Sequence, residues 1–181
     1  MFNLSTQDVV LSIENAPLVN LDGIYFQEYE NFFGKSFKLE FGDVENFQKL
    51  DGQIDYNRSK LSEQDDIVKK LSIFFMNSNV TKALEKKFNT ELKFQSLDVW
   101  IDDKGYKLDP HVDDSSIKLH LQVYLSDENK GTNLYSADNK KIHTFKFESN
   151  RAYALLNNDK SLHGLDEIEK SGRRSIYVRY A

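Results

Sequence analysis

Apolar residues recur along the chain with two different periods. From Ser62 to about Asn89 the residues Ile67, Val68, Leu71, Ile73, Phe74 and Phe75, then Val80, Leu84 and Phe88, follow helical spacing. Asn77-Ser78-Asn79 interrupts the series, so the spacing predicts two helices, and Ser62 followed by Asp65 resembles a capping box with Asp in place of Glu or Gln. From Glu91 the pattern becomes short alternating runs between turn residues, predicting strands near 91–102, 117–125, 142–147, 151–156 and 174–180. Before residue 60 the chain shows a strand near Leu18–Ile24 and a loop around Asp43–Arg58. The expected class is mainly β with flanking α-helices. Short strands that must hide their edges favour a closed sandwich or jelly roll, with the helices covering one sheet from outside.

The run from Ile117 to Leu125 sets the question of where a site would lie. Its odd positions are all apolar and its even positions polar or amphipathic. Either Leu119, Leu121, Val123 and Leu125 face a core and the other face meets water, or the apolar face packs on the helices while Lys118, His120, Gln122 and Tyr124 line a polar interior. Pattern alone leaves both open.

A chain of 181 residues is the size of one domain. We expect a single unit over 1–181, with a mixed and helical part over about 1–90 and a β core over about 91–181. Its 39% hydrophobic and 29% charged residues are those of a globular protein. Apolar runs such as Ile73-Phe74-Phe75-Met76 fall far short of the roughly 20 residues that span a bilayer, and the first twenty residues carry acids without a basic cluster. No membrane association and a cytoplasmic location are the expectation. With no cysteine, disulfides, thiolate metal sites and cysteine nucleophiles are excluded, so any metal must sit on imidazole and carboxylate. The net charge of −5 supplies no overall basic field, so nucleic acid is not the expected partner.

His111-Val112-Asp113 puts two ligand-type side chains at i and i+2, which project to one face in an extended segment. An HxD tripeptide arises readily by chance. A third ligand is available in His163, and two imidazoles with one carboxylate leave three positions open on an octahedral metal, the set used by non-haem iron(II) oxygenases. Ten residues further on, Arg173 opens a strand-like run ending at Tyr180, with Ser175 on the same face. A planar guanidinium pairs bidentately with a carboxylate and keeps its charge when buried. The plain alternative for Arg173 and Arg174 is a solvated pair after Gly172.

Together, His111-Val112-Asp113, His163 and Arg173-Arg174-Ser175 resemble the signature of the 2-oxoglutarate and iron(II)-dependent oxygenase superfamily, and the resemblance covers about Leu97 to Ala181. It is nearest to the prolyl 4-hydroxylase-like branch and to small stand-alone bacterial and phage members. Tyr124-Leu125-Ser126 resembles the family's Tyr-Leu-Asn, with Ser126 departing from Asn, and Gly131-Thr132-Asn133-Leu134-Tyr135 resembles the hairpin that follows. The resemblance implies a double-stranded β-helix (jelly roll, cupin-like) with the site inside the barrel. It implies Fe(II) on the triad, 2-oxoglutarate as co-substrate, O2, and ascorbate as accessory reductant. Arg173, Tyr124, Ser175 and Gln122 would contact 2-oxoglutarate, and Tyr124 pointing inward would bring Lys118, His120 and Gln122 into the lumen. The implied reaction is hydroxylation of a C–H bond of a peptidyl (prolyl) or small-molecule substrate, with release of succinate and CO2. His120 is then a substrate contact or a partly buried imidazole bonded to a neighbour. Trp100, Tyr106 and Tyr135 are candidates for the mouth, with substrate choice falling to Asp43–Arg58 and Trp100–Pro110. Asp114 should face away from the site, and His143 receives no role. Two other readings stand beside this one, a non-catalytic cupin-like binding module and a divalent-metal hydrolase on the same barrel; neither explains Arg173.

Overall fold

The computed structural model describes residues 4–37, 47–49 and 57–181, with backbone alone for 47–49. Among the described residues three helices form, each where a side chain can cap it. Helix α1, Thr6–Asn15, starts where Ser5 accepts from the Asp8 amide at 3.2 Å, and it buries Val9 and Ile13. Helix α2, Asp66–Phe75, is capped by Asp65, whose carboxylate accepts from the Ile67 amide at 2.8 Å. Ser62 is therefore not the cap that the sequence suggested; it accepts from the Gln64 amide in the preceding turn. Helix α3, Ser78–Phe88, is capped by Asn77 and ends at Asn89, which adopts the left-handed conformation (φ 49°) that stops the helix.

The strands are β1 (Val19–Leu21), β2 (Ile24–Tyr29), β3 (Phe47–Lys49), β4 (Arg58–Leu61), β5 (Phe94–Asp102), β6 (Leu108–His111), β7 (Leu119–Tyr124), β8 (Asn133–Tyr135), β9 (Lys141–Thr144), β10 (Ala152–Leu156), β11 (His163–Leu165) and β12 (Arg173–Tyr180). The described strands make two antiparallel sheets, in the orders β1-β2-β10-β7-β12-β5-β4-β3 and β6-β11-β8-β9. The strand expected near Leu18–Ile24 is the start of a hairpin, because Asp22 and Gly23 both turn at positive φ between β1 and β2. The strand expected over 142–147 stops at Thr144. The loop expected around Asp43–Arg58 holds β3 and otherwise lies mostly outside the described residues.

The two faces of the large sheet have different environments. On the outer face Leu119, Leu121, Val123, Ile176 and Val178 join Val9, Ile13, Val68, Leu71, Val80 and Leu84 of the helices in one buried cluster. This apolar burial holds the helices on the sheet. On the inner face Phe26, Tyr124 and Tyr153 pack with Leu134 and Phe145 from the small-sheet side, and the rings of Phe145 and Tyr153 stack at 3.9 Å. The period-2 pattern of β7 thus resolves in favour of a polar interior, with His120, Gln122 and Tyr124 facing in. Lys118 is the exception: it precedes the strand, is exposed, and its ammonium donates to the Glu91 carbonyl at 3.0 Å. Among the described residues no helix is long and apolar enough to cross a membrane.

Candidate metal centre and its cavity

Strands β6 and β11 pair antiparallel with His111 directly opposite His163. The pairing needs a glycine beside His163, since a Cβ on Gly164 would stand 2.6 Å from the Leu108 carbonyl oxygen. Asp113 follows β6 by two residues. One nitrogen from each of His111 and His163 and one oxygen of Asp113 all lie within 4.8 Å of one another. The Nε2 atoms of both imidazoles stand 3.7 Å from Asp113 Oδ1.

Hydrogen bonds identify which atom each residue offers. His111 Nδ1 lies 2.9 Å from the Asp109 carbonyl and His163 Nδ1 lies 2.9 Å from the Ser161 carbonyl. A carbonyl can only accept, so both Nδ1 atoms carry hydrogen, and both Nε2 atoms of the neutral rings present a bare lone pair toward Asp113. Asp113 Oδ2 is taken by His120 Nδ1 at 2.6 Å and by the Tyr177 hydroxyl at 2.8 Å. Oδ1 is the oxygen left facing the two imidazoles. Nitrogen and oxygen donors of this kind, with no thiolate, suit a divalent first-row metal such as iron(II).

Electrostatics agree with a ligand set ready to lose its protons. Burial pushes His163 down to about 3, with the charge of His120 acting the same way. Burial also opposes ionisation of Asp113, but hydrogen bonds from His111 and His120 and the charges of His120 and His163 outweigh it and hold its carboxyl far below the usual range. His111 is the most exposed of the three and is raised above 6.5, chiefly by Asp113 beside it. Tyr177 is raised well above its ordinary value by burial and then by the Asp113 charge, so its hydroxyl stays a donor.

A cavity of about 240 Å³ opens on the triad. At one end Arg173 is buried, its Nη1 2.7 Å from Asp102 Oδ2 and its Nε donating to the Lys130 carbonyl at 2.9 Å. Asp102 is fully buried and also takes Arg58, at 2.5 Å from Nε to Oδ1. The Arg58 guanidinium lies between the rings of Trp100 and Tyr106, 4.5 and 4.2 Å from their centroids. The Asp102 carboxylate thus joins two guanidiniums at this end of the cavity. Gln122 and Thr132 stand on the same wall. Behind them Gln122 accepts from Thr132 Oγ1 at 3.0 Å and from the Tyr153 hydroxyl at 2.8 Å, and donates to Ser175 Oγ at 3.1 Å.

The residues singled out from sequence therefore fall into three places. His111, Asp113, His163, Arg173, Gln122, Trp100 and Tyr106 all reach the cavity. Tyr124 and Ser175 are buried behind its wall, the Tyr124 hydroxyl bonded with the Thr132 amide at 3.0 Å. His120 sits behind Asp113, as the neighbour-bonded imidazole, and Tyr135 is turned away, its hydroxyl accepting from Asn133 at 3.2 Å. Asp114 faces outward and caps the turn at the Ser116 amide. His143 is remote, packed on Phe26 and Phe145 and 2.9 Å from Glu28. Sequence reasoning missed Tyr177, Thr132, Tyr153, Asp102 and Arg58. Tyr177 and Asp102 were within reach of it, since Tyr177 shares the alternating face of Arg173 and Ser175, and Asp102 ends a predicted strand.

No family model and no curated protein sequence matches the chain. Solved structures share its fold. A prolyl hydroxylase from Trichoplax adhaerens, in complex with a hypoxia inducible factor oxygen degradation domain peptide fragment, superposes with a TM-score of 0.62 at 14% identity, covering 97% of this chain and 88% of its own. An oxidoreductase of the 2OG-Fe(II) oxygenase family from Burkholderia pseudomallei gives 0.56 at 10% identity over 97% and 76%. A viral collagen prolyl hydroxylase from Paramecium bursaria Chlorella virus-1 gives 0.53 at 16% over 92% and 94%. The fold is thus the double-stranded β-helix of these oxygenases.

Proposed function

We propose that the protein is an iron(II)- and 2-oxoglutarate-dependent oxygenase. The reading is carried by one observation: Nε2 of His111, Nε2 of His163 and Oδ1 of Asp113 converge, with their other polar atoms already engaged, in a cavity whose far wall is Arg173. His111, Asp113 and His163 would hold iron(II). Arg173, with Gln122 and Thr132, would take the far carboxylate of 2-oxoglutarate, a negative group set against a buried guanidinium. Tyr124, Ser175 and Tyr153 would keep those groups in place. The metal and co-substrate supply oxidation of a C–H bond by dioxygen, with release of succinate and CO2, and ascorbate would serve as accessory reductant. Trp100, Tyr106, Leu108 and Leu165 would exclude water from the reacting group.

For the substrate, a peptidyl group is favoured over a small free metabolite. The cavity is smaller than the roughly 300–1,000 Å³ of pockets that enclose drug-sized ligands, and co-substrate would fill much of it. A substrate would then present one group at the mouth while its body stays outside. A groove of about 730 Å³ between α2 and β5 shares Trp100 and Arg179 with the cavity. Among the described residues β4 pairs with β5 at Trp100 to Asp102 and not along Phe94 to Val99, and that edge is where an extended peptide would pair. A prolyl residue is the first to try.

The test is anaerobic addition of iron(II) and 2-oxoglutarate, reading the visible band of the chelate, followed by oxygen and measurement of succinate. We expect both signals, with Asp113→Ala losing the band. Folded wild-type protein that gives neither would end the oxygenase reading. For the peptidyl substrate, Ile73→Asp in the groove should weaken turnover of an accepted prolyl peptide while leaving the chelate band intact.

A further inference from the structure

We infer that His120 and Tyr177 are positioning residues that force Asp113 to bind metal through one oxygen. A free carboxylate can offer both oxygens to a cation, and a bidentate Asp113 would occupy a position that the co-substrate and dioxygen need. Here Oδ2 is saturated by the His120 Nδ1–H at 2.6 Å and the Tyr177 hydroxyl at 2.8 Å, and Oδ1 alone faces His111 and His163 at 3.7 Å. The two donors come from the inner faces of β7 and β12, paired central strands of the large sheet, whereas Asp113 lies on the segment after β6 in the other sheet. The clamp thus fastens the carboxylate ligand to the larger sheet.

The surroundings of His120 fit this role and no other polar one. The ring is 1% exposed and packs between the rings of His163 and Tyr177, with centroids 4.9 and 5.0 Å away. Among the described residues its buried Nε2 has no hydrogen-bond partner, and the bond to Asp113 is the ring's one hydrogen bond there. A buried imidazole kept at the cost of an orphaned nitrogen is explained by what its other nitrogen holds.

The inference rests on the metal-site reading, and the experiment separates the two. Affinity for Co(II) or Mn(II) is measured by calorimetry on wild type, Tyr177→Phe, His120→Leu and His120→Asn, with circular dichroism melts of the metal-free proteins as the folding control. Tyr177→Phe and His120→Leu should each weaken metal binding about 10- to 100-fold. His120→Asn, whose amide nitrogen can stand near the Nδ1 position, should recover most of the loss, which a merely structural role would not do. Tyr177→Phe removes one oxygen and keeps the ring, so it remains informative if His120→Leu does not fold. Wild-type metal affinity in folded Tyr177→Phe and His120→Leu would overturn the clamp while leaving the metal site standing; failure of wild type to bind either ion would overturn the site itself.

Discussion

Replacing Asp102 by Ala should produce the largest change in stability of any single substitution near the cavity. Asp102 is fully buried and its two oxygens engage Arg58 at 2.5 Å and Arg173 at 2.7 Å, with Arg173 itself 1% exposed. Removing the carboxylate takes from both guanidiniums the counter-charge they share, and one of them is out of reach of bulk water. Breaking a buried ion pair by removing one partner costs about 3–5 kcal/mol. That is a large share of the roughly 5–15 kcal/mol that stabilises a domain. At about 2–4 °C per kcal/mol for a chain of this size, the melting temperature should fall by roughly 6–20 °C. Because the lost charge is negative, an anion that enters the cavity replaces part of it, so 2-oxoglutarate should raise the melting temperature more in Asp102→Ala than in wild type. At a fixed concentration of 100 times the wild-type Kd the ligand contributes about 2.7 kcal/mol to wild type, and any larger gain in the variant at that concentration measures the repaired charge. Thermal melts of both proteins with and without 2-oxoglutarate decide the matter. A variant melting within about 2 °C of wild type would show that Arg173 tolerates burial without Asp102 and would refute the role given to the shared carboxylate.

Three further outcomes are expected. Arg173→Ala should retain metal binding but lose about 2–5 kcal/mol of 2-oxoglutarate affinity, some 30-fold or more, read by titration of the chelate band; unchanged affinity would mean the anchor lies elsewhere. Metal affinity should fall with acidity: His111 is raised above 6.5 by Asp113, a proton on its Nε2 competes with the metal, and each pH unit below its pKa should weaken binding about tenfold. Calorimetry in buffers of different ionisation enthalpy should show a proton released on binding in this range, none of it from His163, which burial has already pushed down to about 3. Flat affinity between about pH 5.5 and 7.5 would exclude His111 as a ligand. Gly164→Ala would set a methyl 2.6 Å from the Leu108 carbonyl oxygen, backbone that cannot swing away, so the strands carrying His111 and His163 should part and metal binding should drop sharply even where the protein stays folded.

Whatever repeats along the chain with a fixed period could be read without coordinates. The helical spacing over Ile67–Phe88, its break at Asn77 and the alternating faces of β7 and β12 reappear in the structure, because each depends on neighbours within a few residues. The cluster of His111 with Asp113 was equally local. Strands β6, β8 and β11 have only three or four residues, too few to show a period, and their existence depends on pairing with partners far along the chain. The same holds for the roles that sequence assigned differently. His120 and Tyr177 meet at Asp113 because β7 and β12 are adjacent and β6 lies across from them, and Arg58, Asp102 and Arg173 meet because β4, β5 and β12 are neighbours in one sheet. Sequence alone determined which chemistry-bearing residues were present and which way each strand turned them. Only the tertiary structure decided which of them reach the cavity, which stand behind it and which hold another in place, because those relations are set by strand order between segments that the linear pattern keeps apart.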